Sequence, residues 1–411
     1  MTFSVVGLGS RGMDSYMAFQ KTHPRLMKTV AVADPRLERL KRAVEEYGVD
    51  ESMCFSCADE LLSQGVLSDA LIIATQDRDH VPQALKAIEA GYRRILMEKP
   101  VSPSKDDCLR LLEAAQAASC EITVCHVLRY TPFYRTLKAL IDSGRIGRLV
   151  NLDAVEGVGY FHMAHSFVRG NWRREDETSP MLLQKSCHDM DIIRYLVGRP
   201  CTAVSSTGSL LWFRPDNAPE GAAMRCLDGC AARDRCPFDC EKIYMSDKRS
   251  GILANPHPTW PTEVICDSYS PQAVTDALRS GPYGRCVYHC DNTVVDHQCV
   301  MLLFEGGVEA TFTMTAFSRE NHRTIRIFGT EGEIQGDMLD GRILLRRFDN
   351  DDEVINVSDN GSGHGGGDGQ LMLDFISQET TSGLEVSLES HLMCFAAEES
   401  RLEGGRRVSL R

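Results

Sequence analysis

TFSVVGLGSRG, Thr2 to Gly12, couples a short apolar run to three spaced glycines. Phe3 to Val6 read as a buried strand. Gly7, Gly9 and Gly12 follow it directly as G-x-G-x-x-G, and a helix-compatible stretch comes next. In a dinucleotide-binding turn the first glycine allows the tight bend. The second lets backbone approach a pyrophosphate, and the third lets helix and strand pack closely. TVAVAD, Thr29 to Asp34, reads as the next strand, and its terminal acid stands where ribose hydroxyls are bound. Asp34 therefore favours NAD over NADP. Ser10 and Arg11 in the loop and Arg36 after the acid complete this cofactor set, and the two arginines blur the preference.

The pattern continues to about residue 125 as alternating strands and helices at βαβ spacing. Strands are predicted at 3–6, 29–33, 70–74, 94–97 and 122–125. A doubly wound parallel sheet follows, and its carboxyl edge is where ligands bind. Two segments end at that edge. IIATQDRDH places Thr75 and Gln76 there, with His80 opening the next helix. RRILMEKPVS places Glu98 and Lys99 there, because Pro100 cannot continue a central strand. A cation fixed at that edge can polarise an oxygen or pass a proton.

After residue 125 the periodicity changes. A helix ending at Gly144 precedes alternating runs such as LVNLDAVEGV, VEATFTMTAF and TIRIFGTEGEI. Turn residues separate them, as in an antiparallel sheet. The division is thus a Rossmann domain at 1–125 and an α/β domain with a large, mostly antiparallel open sheet at 126–411. A Pro-, Cys- and charge-rich insertion at about 213–293 shows little periodicity.

Composition narrows the class of protein. With 411 residues, 43% hydrophobic and 25% charged, the chain is an ordinary globular one, and a two-domain length. A net charge of −13 argues against nucleic-acid or anionic-membrane partners. No apolar run reaches the roughly 18 residues of a membrane span. The chain enters a strand at once with no basic leader, so the cytoplasm is expected. Most of the 16 cysteines are scattered singly, as small buried hydrophobes are. Cys226, Cys230, Cys236 and Cys240 are the exception. Four cysteines so close in an irregular segment suggest a structural zinc site steadying an insertion too polar to build a core. Cys286 or Cys290 could replace one of them, and an iron–sulfur cluster or free thiols are the other readings.

GLGSRG, VADPR, IIATQDRDH, MEKP, RYTPFYRTLKALIDSGRIGRL, CHDMDIIRYLVG and IFGTEGEI together resemble the Gfo/Idh/MocA family of NAD(P)-dependent oxidoreductases. The resemblance spans most of the chain outside the insertion. It implies sugar, inositol or related substrates, and oligomer contacts through the open sheet. It also implies that Lys99 lies beside the nicotinamide and the substrate hydroxyl, that His188 accepts the proton, and that Asp191 belongs to the same site. Many members carry an aspartate four residues before that histidine. Here Gln184 stands there, with Lys185 beside it.

The residues support the same chemistry. QKSCHDMD puts Gln184 and His188 four apart on one helical face, and Lys185 within reach. Histidine suits proton abstraction because its pKa lies near neutrality, and a neighbouring lysine keeps it neutral. Arg129 with Tyr130, and Trp172 with Arg173, fit carbohydrate recognition as an aromatic face plus a donor fork. Either pair fits a structural role equally. The glycine-rich run from Ser362 to Gln370 could lie over a ligand or be a solvent loop. Three activities are open: a dehydrogenase acting on a secondary hydroxyl, an NAD-dependent glycoside-cleaving enzyme with no net redox, and a non-catalytic NAD-binding regulator. Both Lys99 and His188 argue against the last.

Overall fold

The computed structural model describes residues 1–266, 268–358 and 364–410. Six parallel strands form the first sheet: β1 Thr2–Val6, β2 Lys28–Ala33, β3 Cys54–Phe55, β4 Ala70–Ile73, β5 Arg94–Met97 and β6 Glu121–Val124. Their order is β3-β2-β1-β4-β5-β6. The chain doubles back from β1, placing β2 on one side and β4 on the other, so a ligand crevice opens at the carboxyl ends of these two strands. Every residue of β4 is buried, as expected for a parallel strand covered on both faces. The helices Leu37–Tyr47, His80–Ala90 and Lys105–Ala117 alternate with these strands, as the βαβ spacing implies. The two-residue β3 was not predicted, being too short to show a period.

The second sheet holds nine strands: β7 Leu149–Gly159, β8 Cys201–Ser209, β9 His297–Phe304, β10 Glu309–Ser318, β11 His322–Gly329, β12 Gly332–Asp337, β13 Arg342–Arg347, β14 Glu353–Asn356 and β15 Val408–Ser409. The order is β14-β13-β12-β11-β7-β10-β9-β8-β15. All pairs are antiparallel except β7 with β10. TIRIFGTEGEI, read as one alternating run, is two strands turning at Thr330 and Glu331. Inward residues of β9 and β10 pack against the helices Pro132–Asp142, Cys187–Val197 and Leu384–Leu402. On the opposite face Val150, Met301 and Phe317 are exposed.

The two halves are not separate in the core. Leu371, Met372 and Phe375, on the helix Gly367–Ser377, pack with Phe3, Val5 and Tyr16 of the first half. Leu384 and Leu388 pack with Ile95 and Leu111.

The insertion between β8 and β9 carries short helical turns and one longer helix, Pro271–Ser280. It is not too polar to build a core. Phe213, Phe238, Ile243, Tyr244, Val274, Leu278 and Val287 are buried in the second half's main cluster.

Candidate active site

A cleft of about 240 Å³ opens where the carboxyl ends of β4 and β5 meet the helices Met181–Gln184 and Cys187–Val197. Arg11, Thr75, Gln76, Asp77, Glu98 and Lys99 line one side. His162, Phe167, Trp172, Gln184, Lys185, His188, Arg323 and His364 line the other. Nine of the residues singled out from sequence therefore meet here: Arg11, Thr75, Gln76, Glu98, Lys99, Trp172, Gln184, Lys185 and His188.

Lys99 Nζ donates to the Gln184 carbonyl at 2.9 Å, which aims the ammonium across the cleft at the first turn of the next helix. Gln184 and His188 do not share one continuous helix. Ser186 leaves helical geometry (φ −99°, ψ 11°) and its hydroxyl donates to Glu156 Oε2 at 2.7 Å, so the segment turns between two short helices. His188 Nδ1 is buried and has no partner among the described residues, which leaves Nε2 as the nitrogen able to meet a substrate. Burial, reinforced by the charge of Lys99, pushes the His188 pKa well below the ordinary histidine value. The ring is thus held neutral, as a base must be.

Beneath the cleft lies a charged layer that the sequence did not disclose. Glu156 receives Ser186, Lys185 Nζ at 3.1 Å, and Arg323. Arg323 also bonds Asp189 at 2.7 Å. Burial would raise the Glu156 pKa, but Arg323 and Lys185 outweigh it and hold the carboxylate well down. Burial, with Glu156 alongside, pushes the Asp189 pKa up. Burial lowers the Lys185 pKa against the pull of Glu156. Asp77 is a second unforeseen group: its carboxylate accepts from Ser179 at 3.1 Å and lies 3.5 Å from Gln184 Nε2. A carboxylate thus stands beside Gln184, supplied by the first half of the chain.

Other expected residues lie elsewhere. Arg129 and Asp191 face each other in a buried bidentate pair, with both contacts at 2.6 Å. Tyr130 is buried, and its hydroxyl meets Ser382 at 2.7 Å. Arg173 turns away to Asp291, at 2.8 and 3.0 Å. His80 is buried between the carbonyls of Pro100 and Thr75, bracing two loops of the cleft's edge. From the glycine-rich run, Ser362 and Gly363 lie outside the described residues. His364 reaches the cleft, and Asp368 bonds Arg11 Nη2 at 2.8 Å.

The glycine loop fits a dinucleotide. Gly7 has φ +87°, and a Cβ there would sit 2.5 Å from the Ala74 carbonyl. A Cβ on Gly12 would fall 1.8 Å from the Gly7 carbonyl. Gly9, by contrast, faces open space, with only Arg39 at 3.9 Å, and Ser10 beside it is exposed. Asp34 accepts from the backbone N–H of Leu8 (2.8 Å) and Arg36 (2.9 Å) and pairs with Arg39 at 3.1 Å. Arg39, in the first turn after the acid, was not foreseen. Arg11 turns the other way, to Glu98 at 2.6 Å and to Tyr16, on the substrate side. Burial opposes ionisation of Glu98, but Arg11 and Lys99 prevail and its pKa is lowered.

Zinc ligation by Cys226, Cys230, Cys236 and Cys240 is not supported. Among the described residues no group of three or more His, Cys, Asp or Glu is placed to hold a metal ion. A side-chain cation occupies this region instead. Buried Arg169 donates to the carbonyls of Phe238 and Arg285 at 2.7 Å and to Cys226 Sγ at 3.7 Å. With its apolar residues in the core, the insertion has other means of support.

A parallel sheet of this order with a glycine loop at its switch point defines a dinucleotide-binding Rossmann fold. Residues 1–126 match the NAD-binding Rossmann domain of the Gfo/Idh/MocA oxidoreductase family, and residues 138–389 match its C-terminal α/β domain. The protein belongs to that family. It is 24% identical to YteT of Bacillus subtilis over 75% of this chain and 72% of that protein. It is 33% identical to inositol 2-dehydrogenase 4 of Saccharopolyspora erythraea over 49% of this chain and 55% of that one, so the match spans about half of the inositol enzyme. The fold resembles the WlbA dehydrogenase of Chromobacterium violaceum, solved with NADH and UDP-GlcNAcA, at TM-score 0.68 and 17% identity, covering 100% of this chain and 96% of that one. An NAD-binding oxidoreductase from Klebsiella pneumoniae superposes at TM-score 0.71 and 16% identity, over 100% and 99% of the two chains. No helix among the described residues is long and apolar enough to cross a membrane.

Proposed function

We propose that the protein oxidises a secondary hydroxyl of a sugar, inositol or glycoside, with NAD as hydride acceptor. The observation that carries this reading is the meeting of Lys99 and a neutral, buried His188 in one cleft at the carboxyl edge of the Rossmann sheet. His188 Nε2 takes the hydroxyl proton as the alcohol becomes a carbonyl. Lys99, anchored to the Gln184 carbonyl, holds the substrate oxygen and stabilises its developing negative charge. Phe167 and Trp172 form an apolar wall that excludes water. The nicotinamide, when bound, supplies the hydride-accepting carbon. Gly9 lets the backbone approach the cofactor's pyrophosphate, Gly7 and Gly12 shape the loop that does so, and Asp34 meets the adenine ribose, which favours NAD over NADP.

In this reading residues 1–125 carry the cofactor and 126–411 the substrate site and oligomer contacts. The uncovered sheet face, with Met301 62% and Phe317 48% exposed, suits a second copy of the chain. The setting is the cytoplasm.

The test is a panel of monosaccharides, inositols and glycosides with NAD, reading NADH and any released aglycone. NADH matching substrate consumed supports net oxidation. Aglycone release with no NADH would assign the redox-neutral cleavage instead. Removing a general base costs roughly 100- to 10,000-fold in rate. His188→Ala and Lys99→Ala should lose at least the lower figure in kcat while still binding NAD. Near-normal turnover by His188→Ala would move the base elsewhere, with Lys185 next in line.

A further inference from the structure

The catalytic cleft does not end at His188. Leu128, Arg323 and His364 also border a second groove of about 390 Å³, larger than the cleft itself. It runs between the start of the helix Pro132–Asp142 and the β12–β13 turn, Met338 to Gly341. Its floor is apolar, made by Leu128, Phe133 and Met338. Its rim carries His322, the 60%-exposed Leu339 and Asp340.

The charges around it are distinctive. Arg323 is already neutralised by Glu156 and Asp189. The Asp340 backbone N–H caps Asp337, but the Asp340 carboxylate takes no hydrogen bond or ion pair among the described residues. Among the described residues the groove thus offers an apolar plate, a free carboxylate acceptor and no unpaired guanidinium. Sugar rings present C–H faces and hydroxyl donors, which such a surface matches. A phosphate or uronate would meet Asp340 with like charge.

We infer that the substrate has two units: the ring that is oxidised, in the cleft, and a second, neutral sugar unit in this groove. The inference rests on the dehydrogenase reading above and narrows its substrate to neutral disaccharides and glycosides. The cleft must also admit the nicotinamide, and the groove that continues from it past Leu128, Arg323 and His364 offers room for a second unit. Arg323 and His364, shared by both cavities, mark the junction between the units.

The test compares full-length enzyme on glucose, cellobiose and glucose 1-phosphate with NAD, alongside Leu339→Trp and Asp340→Asn. Both substitutions lie in an exposed turn outside the catalytic cleft. The expected result is a higher kcat/KM for cellobiose than for either single-ring compound. Leu339→Trp should cut the cellobiose value about 10-fold and leave glucose unchanged, and Asp340→Asn should do so by a smaller factor, since an amide still accepts. Equal losses on both sugars, no loss on cellobiose, or preference for glucose 1-phosphate would overturn the inference. If none of the three yields NADH, saturation-transfer NMR with cellobiose separates the two ideas. Binding abolished by Leu339→Trp supports the groove while the oxidation reading fails, and binding untouched by it, or absent, overturns the groove.

Discussion

Asp191→Ala separates a structural carboxylate from a substrate-binding one. The side chains of Arg129 and Asp191 are 3% and 1% exposed, and their two contacts are both 2.6 Å. Burial raises the Asp191 pKa, but Arg129 pulls it back towards the charged form. Deleting the carboxylate strands a guanidinium whose remaining bond is to the Thr381 carbonyl at 2.7 Å. Breaking such a pair costs about 3–5 kcal/mol, because the surviving charge stays buried. The pair joins the turn Val127–Tyr130 to the catalytic helix three residues beyond His188, so kcat should also fall while KM barely moves. Urea unfolding followed by tryptophan fluorescence gives the stability, and initial rates give kcat and KM separately. An unchanged unfolding midpoint with KM raised more than tenfold would refute the reasoning and return Asp191 to the substrate.

Three further outcomes follow from the geometry. His126, His188 and His391 are buried, and burial is the largest cause lowering each pKa, that of His391 to about 3. The unfolded chain therefore binds more protons below about pH 6.5, and stability falls as pH drops. At pH 5.5 each ring should cost about 1.4 kcal/mol, and His126→Leu should remove one such loss, read from urea midpoints at pH 7.5 and 5.5. A Cβ at Gly12 lands 1.8 Å from a backbone carbonyl, so Gly12→Ala should cost about 3 kcal/mol and abolish NAD binding measured by fluorescence titration. NAD should bind at least ~10-fold more tightly than NADP through Asp34. Equal affinities would show that Arg39, 3.1 Å from that carboxylate, governs the ribose site.

What the sequence disclosed is what is local. The glycine loop, the strand-ending Lys99 and the strand periods depend on a few neighbouring residues, and each lies at its expected place in the chain. Partner identity is a long-range property. Arg129 and Asp191 read as two candidates for a ligand because nothing local says that they satisfy each other across 62 positions. Arg323 reaches the cleft from a distant strand and carries no motif, whereas Asp77 and His364 lie inside two stretches the sequence singles out, IIATQDRDH and the glycine-rich run, where neighbouring residues or the glycines drew the reading. Arg39 was within reach, since a cation one helical turn past the acid is a readable signal. Close cysteine spacing did not amount to a metal site among the described residues: Cys226, Cys230, Cys236 and Cys286 border one small cavity, and the guanidinium of Arg169, far upstream, borders it with them.

The packing of the last helices on the first sheet sets an order of events during synthesis. When residue 125 leaves the ribosome, the cofactor sheet still lacks Leu371, Met372 and Phe375 on one face and Leu384 and Leu388 on the other. Arg11 likewise waits for Asp368. The first half thus emerges with apolar surface uncovered while more than 200 further residues are made. Its apolar faces are covered only after residues 371–388 have been made.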